Sequence, residues 1–189
     1  ITGRLGPSAL IGIQAVLIGL AIGLILGILA AWKHNSGIDY FTMILAVLGV
    51  SVPNFVAAAL LQYYIGLKWG VLPVGFWTGW NCSVLPSIAL SFSATAMVAR
   101  FMRTEMLDVL DQDYIVTARA KGLSQMKVLM RHAVRNSILP VVTILGPIVV
   151  NLMTGSLAVE NIFSIPGIGS LFVDCIKAND YPVIMGITI

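Results

Sequence analysis

The sequence predicts an all-α membrane protein, a bundle of apolar helices joined by one long charged loop. Three observations predict it. Of 189 residues, 58% are hydrophobic and 10% are charged, where a soluble domain carries about 25% charged residues. The mean hydropathy is +0.96. Charge is also missing from four long tracts: Ser8 to Trp32, Phe41 to Leu67, Trp69 to Ala99, and Asn136 to Val159. A bilayer-spanning helix needs about 20 apolar residues, and in lipid the backbone must satisfy its own hydrogen bonds. Helical spans are therefore expected at about 8–32, 41–67, 84–100 and 137–159. The nine residues after Asp180 are too few to cross at about 1.5 Å each, so a further span is expected to start at 181. Ile1 is not an initiator Met. The expectation is one transmembrane domain over 1–189, truncated at both ends.

Each span carries its own signature. The first has Gly19, Gly23 and Gly27 at intervals of four, then Ala31, a ridge that lets another helix approach closely. The second gathers Gly49, Ser51, Pro53 and Asn54. Pro53 removes a backbone donor and is expected to kink the helix; such a break marks either a transport path or a packing bend. Ser87, Ser91 and Thr95 share one face of the third span, and Asn151 and Thr154 lie in the fourth. These neutral groups fit a translocation path and fit interhelical hydrogen bonds equally well. Between the second and third spans, Gly70, Pro73, Gly75 and Gly79 predict irregular backbone.

The charges orient the chain. Segments 33–40 and 100–135 fall on one side and carry Lys33, Arg100, Arg103, Arg119, Lys121, Lys127, Arg131 and Arg135. The other side carries Arg4, Lys68 and Lys177. The positive-inside rule puts 100–135 in the cytoplasm, and Trp69, Trp77 and Trp80 suit the opposite interface. Membrane placement explains the net charge of +3 without nucleic acid. Cys82 and Cys175 make no metal motif, His34 and His132 have no catalytic companions, and no phosphate-binding glycine loop with its lysine is present. No metal site, catalytic residue or bound cofactor is expected on this chain.

The loop has helical texture. Asp113 can cap a helix starting at Tyr114, Gly122 suits the position after its end, and Ser124 can cap a second helix. On that helix Met126, Leu129, Met130 and Ala133 share a face, with Lys127, Arg131 and Arg135 elsewhere. Periodicity leaves two readings: a helix lying on anionic lipid, or one docking in a groove of a partner protein.

The stretch Tyr114 to Pro140, YIVTARAKGLSQMKVLMRHAVRNSILP, resembles the cytoplasmic signature of permease subunits in ATP-binding-cassette importers. Ala118 and Gly122 match the second alanine and the glycine of that signature. Val116 and Thr117 replace its leading Glu and first Ala, and its later Ile-x-Leu-Pro falls on His132 to Arg135, with the proline at Pro140. The ARAKG form, VSVPNF from Val50, VLPVG from Val71, ENIFSIPGIGSLF from Glu160 and DYP from Asp180 are similar to the oligopeptide, dipeptide and nickel branch, most of all to oligopeptide permeases of the first-subunit type. The resemblance covers nearly the whole chain.

The resemblance implies a type I importer transmembrane domain in a prokaryotic cytoplasmic membrane. It implies a second homologous permease subunit, two ATPase subunits or domains holding ATP and Mg, and an extracytoplasmic binding protein delivering peptide. Ala118, Arg119, Ala120, Lys121, Gly122, Leu123, Ser124, Met126 and Lys127 would form the coupling helix against an ATPase. Ile165, Pro166, Gly167 and Gly169 would form an outer gate or a platform for the binding protein. The alternatives are a nickel or other small-solute importer and an ion-gradient-driven transporter; the latter is disfavoured because no Asp or Glu lies within an expected span.

Overall fold

A computed structural model describes residues 2–153 and 156–188, apart from the side chain of Thr2; Thr154 lies outside the described residues. Among them every regular element is a helix. Three helical runs are long and apolar enough to cross a membrane: Gly3–Trp32, Trp80–Leu110, and one beginning at Gln125. A fourth is added if Gly37–Ser51 and Asn54–Lys68 count as one broken span. Large apolar side chains are exposed along these helices, Leu17, Ile25, Phe41, Ile44, Leu139 and Val150 among them, as lipid-facing surfaces require. The chain is a multi-pass membrane protein.

The chain divides into two compact units of interleaved segments: residues 1–18, 52–92 and 148–189 in one, and 19–51 and 93–147 in the other.

The first unit contains the start of α1 (Thr2–Trp32), α3 (Asn54–Leu61), the start of α4 (Val84–Leu110), the end of α7 (Arg135–Met153), α8 (Leu157–Ile162), α9 (Ile168–Ala178) and α10 (Tyr181–Thr188). α3 opens at Pro53, whose φ of −58° and ψ of 137° are not helical. The expected kink is therefore a full interruption between Ser51 and Asn54. α3 passes into a π-helical stretch, Gln62–Lys68, before the irregular segment of the 70s. Gln62 ties this region together by donating to the carbonyls of Val74 and Ile162. α8 ends in a Schellman arrangement: Ser164, at φ 51°, donates to Asn161 O, and Ile165 N to Glu160 O at 2.8 Å. Cys82 and Cys175 are free and buried.

The second unit holds the rest of α1, α2 (Gly37–Ser51), the rest of α4, α5 (Asp113–Ala120), α6 (Gln125–Lys127) and most of α7. The glycine ridge of α1 lies directly on α4. A methyl group at Gly19 would sit 2.6 Å from Ala94 Cβ, one at Gly23 2.7 Å from Val98 Cβ, and one at Gly27 2.7 Å from Met102 Cβ. α4 continues ten residues past 100 to Leu110, so the expected loop begins as helix. A further π-helical stretch, Val128–Val134, joins α6 to α7. Pro140 and Pro147 lie inside α7.

Two local expectations are corrected here. Asp113 is the first residue of α5 and Gln112 occupies the capping position; no side chain caps this end. The buried face of the second loop helix is Val128, Leu129 and Ala133, while Met126 and Met130 are 50% and 53% exposed. Bonding from i to i+5 in the π stretch widens the turn, so a face read at α-helical spacing falls out of register.

Candidate functional site

The turn around Gly122 is built by a short run of local rules. Ile115 and Ala118 on α5 bury against Val128, with Val109 and Leu110 beside them. This apolar contact fixes α5 to the following helix. α5 then ends in a complete Schellman motif: Gly122 N donates to Arg119 O at 2.9 Å and Leu123 N to Ala118 O at 3.4 Å. The motif needs a left-handed residue, and Gly122 supplies it at φ 76°. Ser124 sits at the next capping position with extended backbone, but its side chain makes no capping bond. Ala118 thus points inward, whereas Arg119, Ala120, Lys121, Gly122, Leu123, Ser124, Met126 and Lys127 are all exposed. The result is a protruding, basic, partly apolar turn on a fixed base.

Elsewhere in the same unit, Asp39 is 2% exposed yet charged. Arg103 Nε donates to its Oδ1 at 2.6 Å and Arg103 Nη2 to its Oδ2 at 2.8 Å. The backbone N–H of Asn35 donates to Oδ2 at 3.0 Å, and His34 Nδ1 lies 3.1 Å from the same oxygen. Asp39 lies in the first turn of α2.

The first unit holds a second buried acid. Glu160 is 2% exposed. Its Oε1 accepts from Ser8 Oγ at 2.7 Å and its Oε2 from the backbone N–H of Ser170 at 3.0 Å. Ser8 Oγ in turn accepts from Ile168 N at 2.9 Å, and Arg4 reaches Ser170 Oγ at 3.4 Å. The carboxylate therefore closes the N-terminal turn of α9, where free N–H groups favour negative charge. Gly167 and Gly169 are buried against it: a methyl at Gly167 would collide with the Glu160 carboxylate, and one at Gly169 would lie 2.9 Å from it. Gly167 has ordinary extended backbone, so its need for glycine is one of space. Of the residues expected at an outer gate, Ile165, Gly167 and Gly169 are buried and Pro166 is half-buried, with Asn161 and Ser164 exposed beside them.

The polar residues of the spans divide. Ser87 is fully buried; its hydroxyl donates to Gln14 Oε1 at 2.9 Å and lies 3.3 Å from Ile11 O. Ser91 is buried and bonds back to Ile88 O at 2.8 Å. Ser87 thus links α4 to α1, and Ser91 bonds within α4. Thr95 is half-buried, its backbone against Gly19 and Gly23, and Asn151 is exposed. Sequence reasoning missed Asp39 and Glu160 as structural centres.

Residues 23–189 match the family model described as binding-protein-dependent transport system inner membrane component. The chain is 46% identical over 189 residues to the dipeptide transport system permease protein DppB of Lactococcus lactis subsp. cremoris, covering 100% of this chain and 62% of that protein. It is 48% identical over 181 residues to DppB of Bacillus subtilis, covering 95% and 58%. It is 41% identical over 186 residues to the oligopeptide transport system permease protein OppB of Salmonella typhimurium, covering 96% and 60%. The chain thus spans less than two thirds of the length of these curated relatives. A crystal structure of an amino acid ABC transporter with histidines superposes with a TM-score of 0.71 at 19% identity, covering 95% of this chain and 81% of that one. At that identity the likeness is one of fold, and the fold is that of a type I importer transmembrane domain.

Proposed function

The chain belongs to the family of binding-protein-dependent transport system inner membrane components, and from that membership we propose that it is a permease subunit for ATP-driven import of peptides. The names of its relatives, dipeptide and oligopeptide permeases, support peptide as the cargo. ATP and Mg would be bound by two partner ATPase subunits or domains, a second homologous permease subunit would complete the pathway, and an extracytoplasmic binding protein would deliver the peptide.

One observation carries the coupling role. The turn from Arg119 to Lys127 is exposed, while Ala118 and Val128 at its base are buried together. A projecting turn on a fixed base suits a groove between the lobes of an ATPase. Closure of the ATPase pair would push the turn, and α5 would pass the displacement to α7 through Ile115, Ala118 and Val128. Lys121 and Lys127 would meet the rim of the groove. This reading places 100–135 in the cytoplasm, in agreement with the charge asymmetry. Two states of the helical bundle, inward-open and outward-open, would be biased by that displacement.

The test is Gly122→Trp in the full-length complex reconstituted in vesicles. The indole adds bulk and removes the left-handed residue, so ATP hydrolysis should separate from peptide uptake while membrane insertion persists. Normal ATP-driven uptake by this variant would overturn the assignment.

A further inference from the structure

A basic concavity of about 590 Å³ lies beyond the turn, lined by Arg131, His132, Arg135, Asn136, Ile138 and Leu139. We propose that it holds the phosphate-bearing headgroup of an anionic phospholipid, with the first acyl carbons along Ile138 and Leu139.

The charge balance is one-sided. No Asp or Glu occurs between Asp113 and Glu160, while Arg119, Lys121, Lys127, Arg131 and Arg135 fall in that interval. Arg131 and Arg135 are exposed, and among the described residues the carboxylate ion pairs are those of Asp39 with Arg103 and His34. Neither guanidinium at the concavity is neutralised by the protein. Asp113, the one acid on α5, is exposed and precedes Tyr114. A guanidinium pair favours phosphate through charge-assisted, bidentate bonding.

The shape is also specified. Asn136 Nδ2 donates to Tyr114 Oη at 2.8 Å, which holds the polar wall against α5. The π stretch Val128–Val134 ends immediately before Arg135, so wide and ordinary turns meet inside the site.

The direction of polarity separates a lipid from a protein partner. Passing along the chain from Arg131 to Leu139, the lining changes from cationic to apolar within about two turns, and Leu139 is 69% exposed. The apolar end continues into the uncharged part of a membrane-spanning run. An amphiphile with an anionic head matches this order, as basic pockets beside membrane helices do; a soluble protein's rim would leave Ile138 and Leu139 uncovered. Periodicity could not choose between lipid and partner for the loop as a whole. The concavity divides the two roles, with the exposed turn before Val128 left to the partner and the site from Arg131 onward given to lipid.

The test uses the full-length permease in its assembled complex. Native mass spectrometry would follow retention of phosphatidylglycerol against phosphatidylcholine. Selective retention of phosphatidylglycerol is expected. It should fall about fivefold in Arg135→Gln and about 25-fold in Arg131→Gln/Arg135→Gln, at the loss usual for each basic residue near an anionic surface. Arg135→Lys should keep most of it, and Lys177→Gln should lose none. Equal retention of the two lipids, or full retention by the double variant, overturns the proposal. Displacement of the lipid by equimolar inorganic phosphate assigns the site to a free anion and also overturns it. Loss of the ATPase subunits from the double variant with lipid retention unchanged gives the concavity to the partner protein instead.

Discussion

Arg103 grips Asp39 through two separate nitrogens, one on each carboxylate oxygen, at 2.6 and 2.8 Å. The pair joins the start of α2 to α4, and His34 Nδ1 lies within 3.2 Å of Arg103 Nη2. Breaking a buried pair on one side costs about 3 kcal/mol or more, so Arg103→Ala should lower the melting temperature of the purified protein well beyond a surface substitution. Asp39→Ala, which leaves a less buried cation, should cost less. An Arg103→Ala protein with unchanged thermal stability would remove the pair from the account of this unit.

Two left-handed residues make opposite predictions. Gly122→Ala puts a Cβ at φ 76° and should cost about 1 kcal/mol. Ser164 occupies the equivalent position after α8 at φ 51°. Ser164→Gly relieves the same conflict and should stabilise by up to about 1 kcal/mol. Chemical or thermal melts of both variants in detergent would check the opposing signs.

At Gly167 the issue is room. An added methyl collides with the Glu160 carboxylate and lies 2.5 Å from Ser8 Oγ. Gly167→Ala should destabilise by about 1–3 kcal/mol, the usual range for overpacking. Hydrogen exchange at Ile168 and Ser170, whose N–H groups bond to Ser8 and Glu160, should rise in this variant. Unchanged protection of both amides would show that the loop accommodates the methyl elsewhere.

What could be read from the sequence was what depends on near neighbours. The i, i+4 glycines of α1 mark a close helix contact wherever their partner lies, and α4 meets them at Ala94, Val98 and Met102. Gly122 was legible because a helix end is a local event. Asp39 and Glu160 were not, since their partners Arg103 and Ser8 lie 64 and 152 residues away and each acid looks like an ordinary loop charge. Glu160 escaped a search for intramembrane carboxylates by standing one residue beyond the fourth expected span. Ser87 and Ser91 gave a real face at helical spacing, but spacing cannot say whether that face meets water or Gln14. The methionine face failed for a different reason, since π winding changes the period on which the reading rests.

That winding also makes the chain tolerant of length changes. Between Gly122 and Pro140, bonds from i to i+5 at Val128–Val134 take in more chain per turn than an α-helix does. Removing one residue there would tighten a wide turn to ordinary pitch and need not rotate α7, so Ser137 could keep its inward bond to Ala133. The stretch works as a splice between the exposed turn around Gly122 and the apolar helix α7. The proline that the resembled signature would put at Arg135 stands instead at Pro140, inside α7 and beyond this stretch.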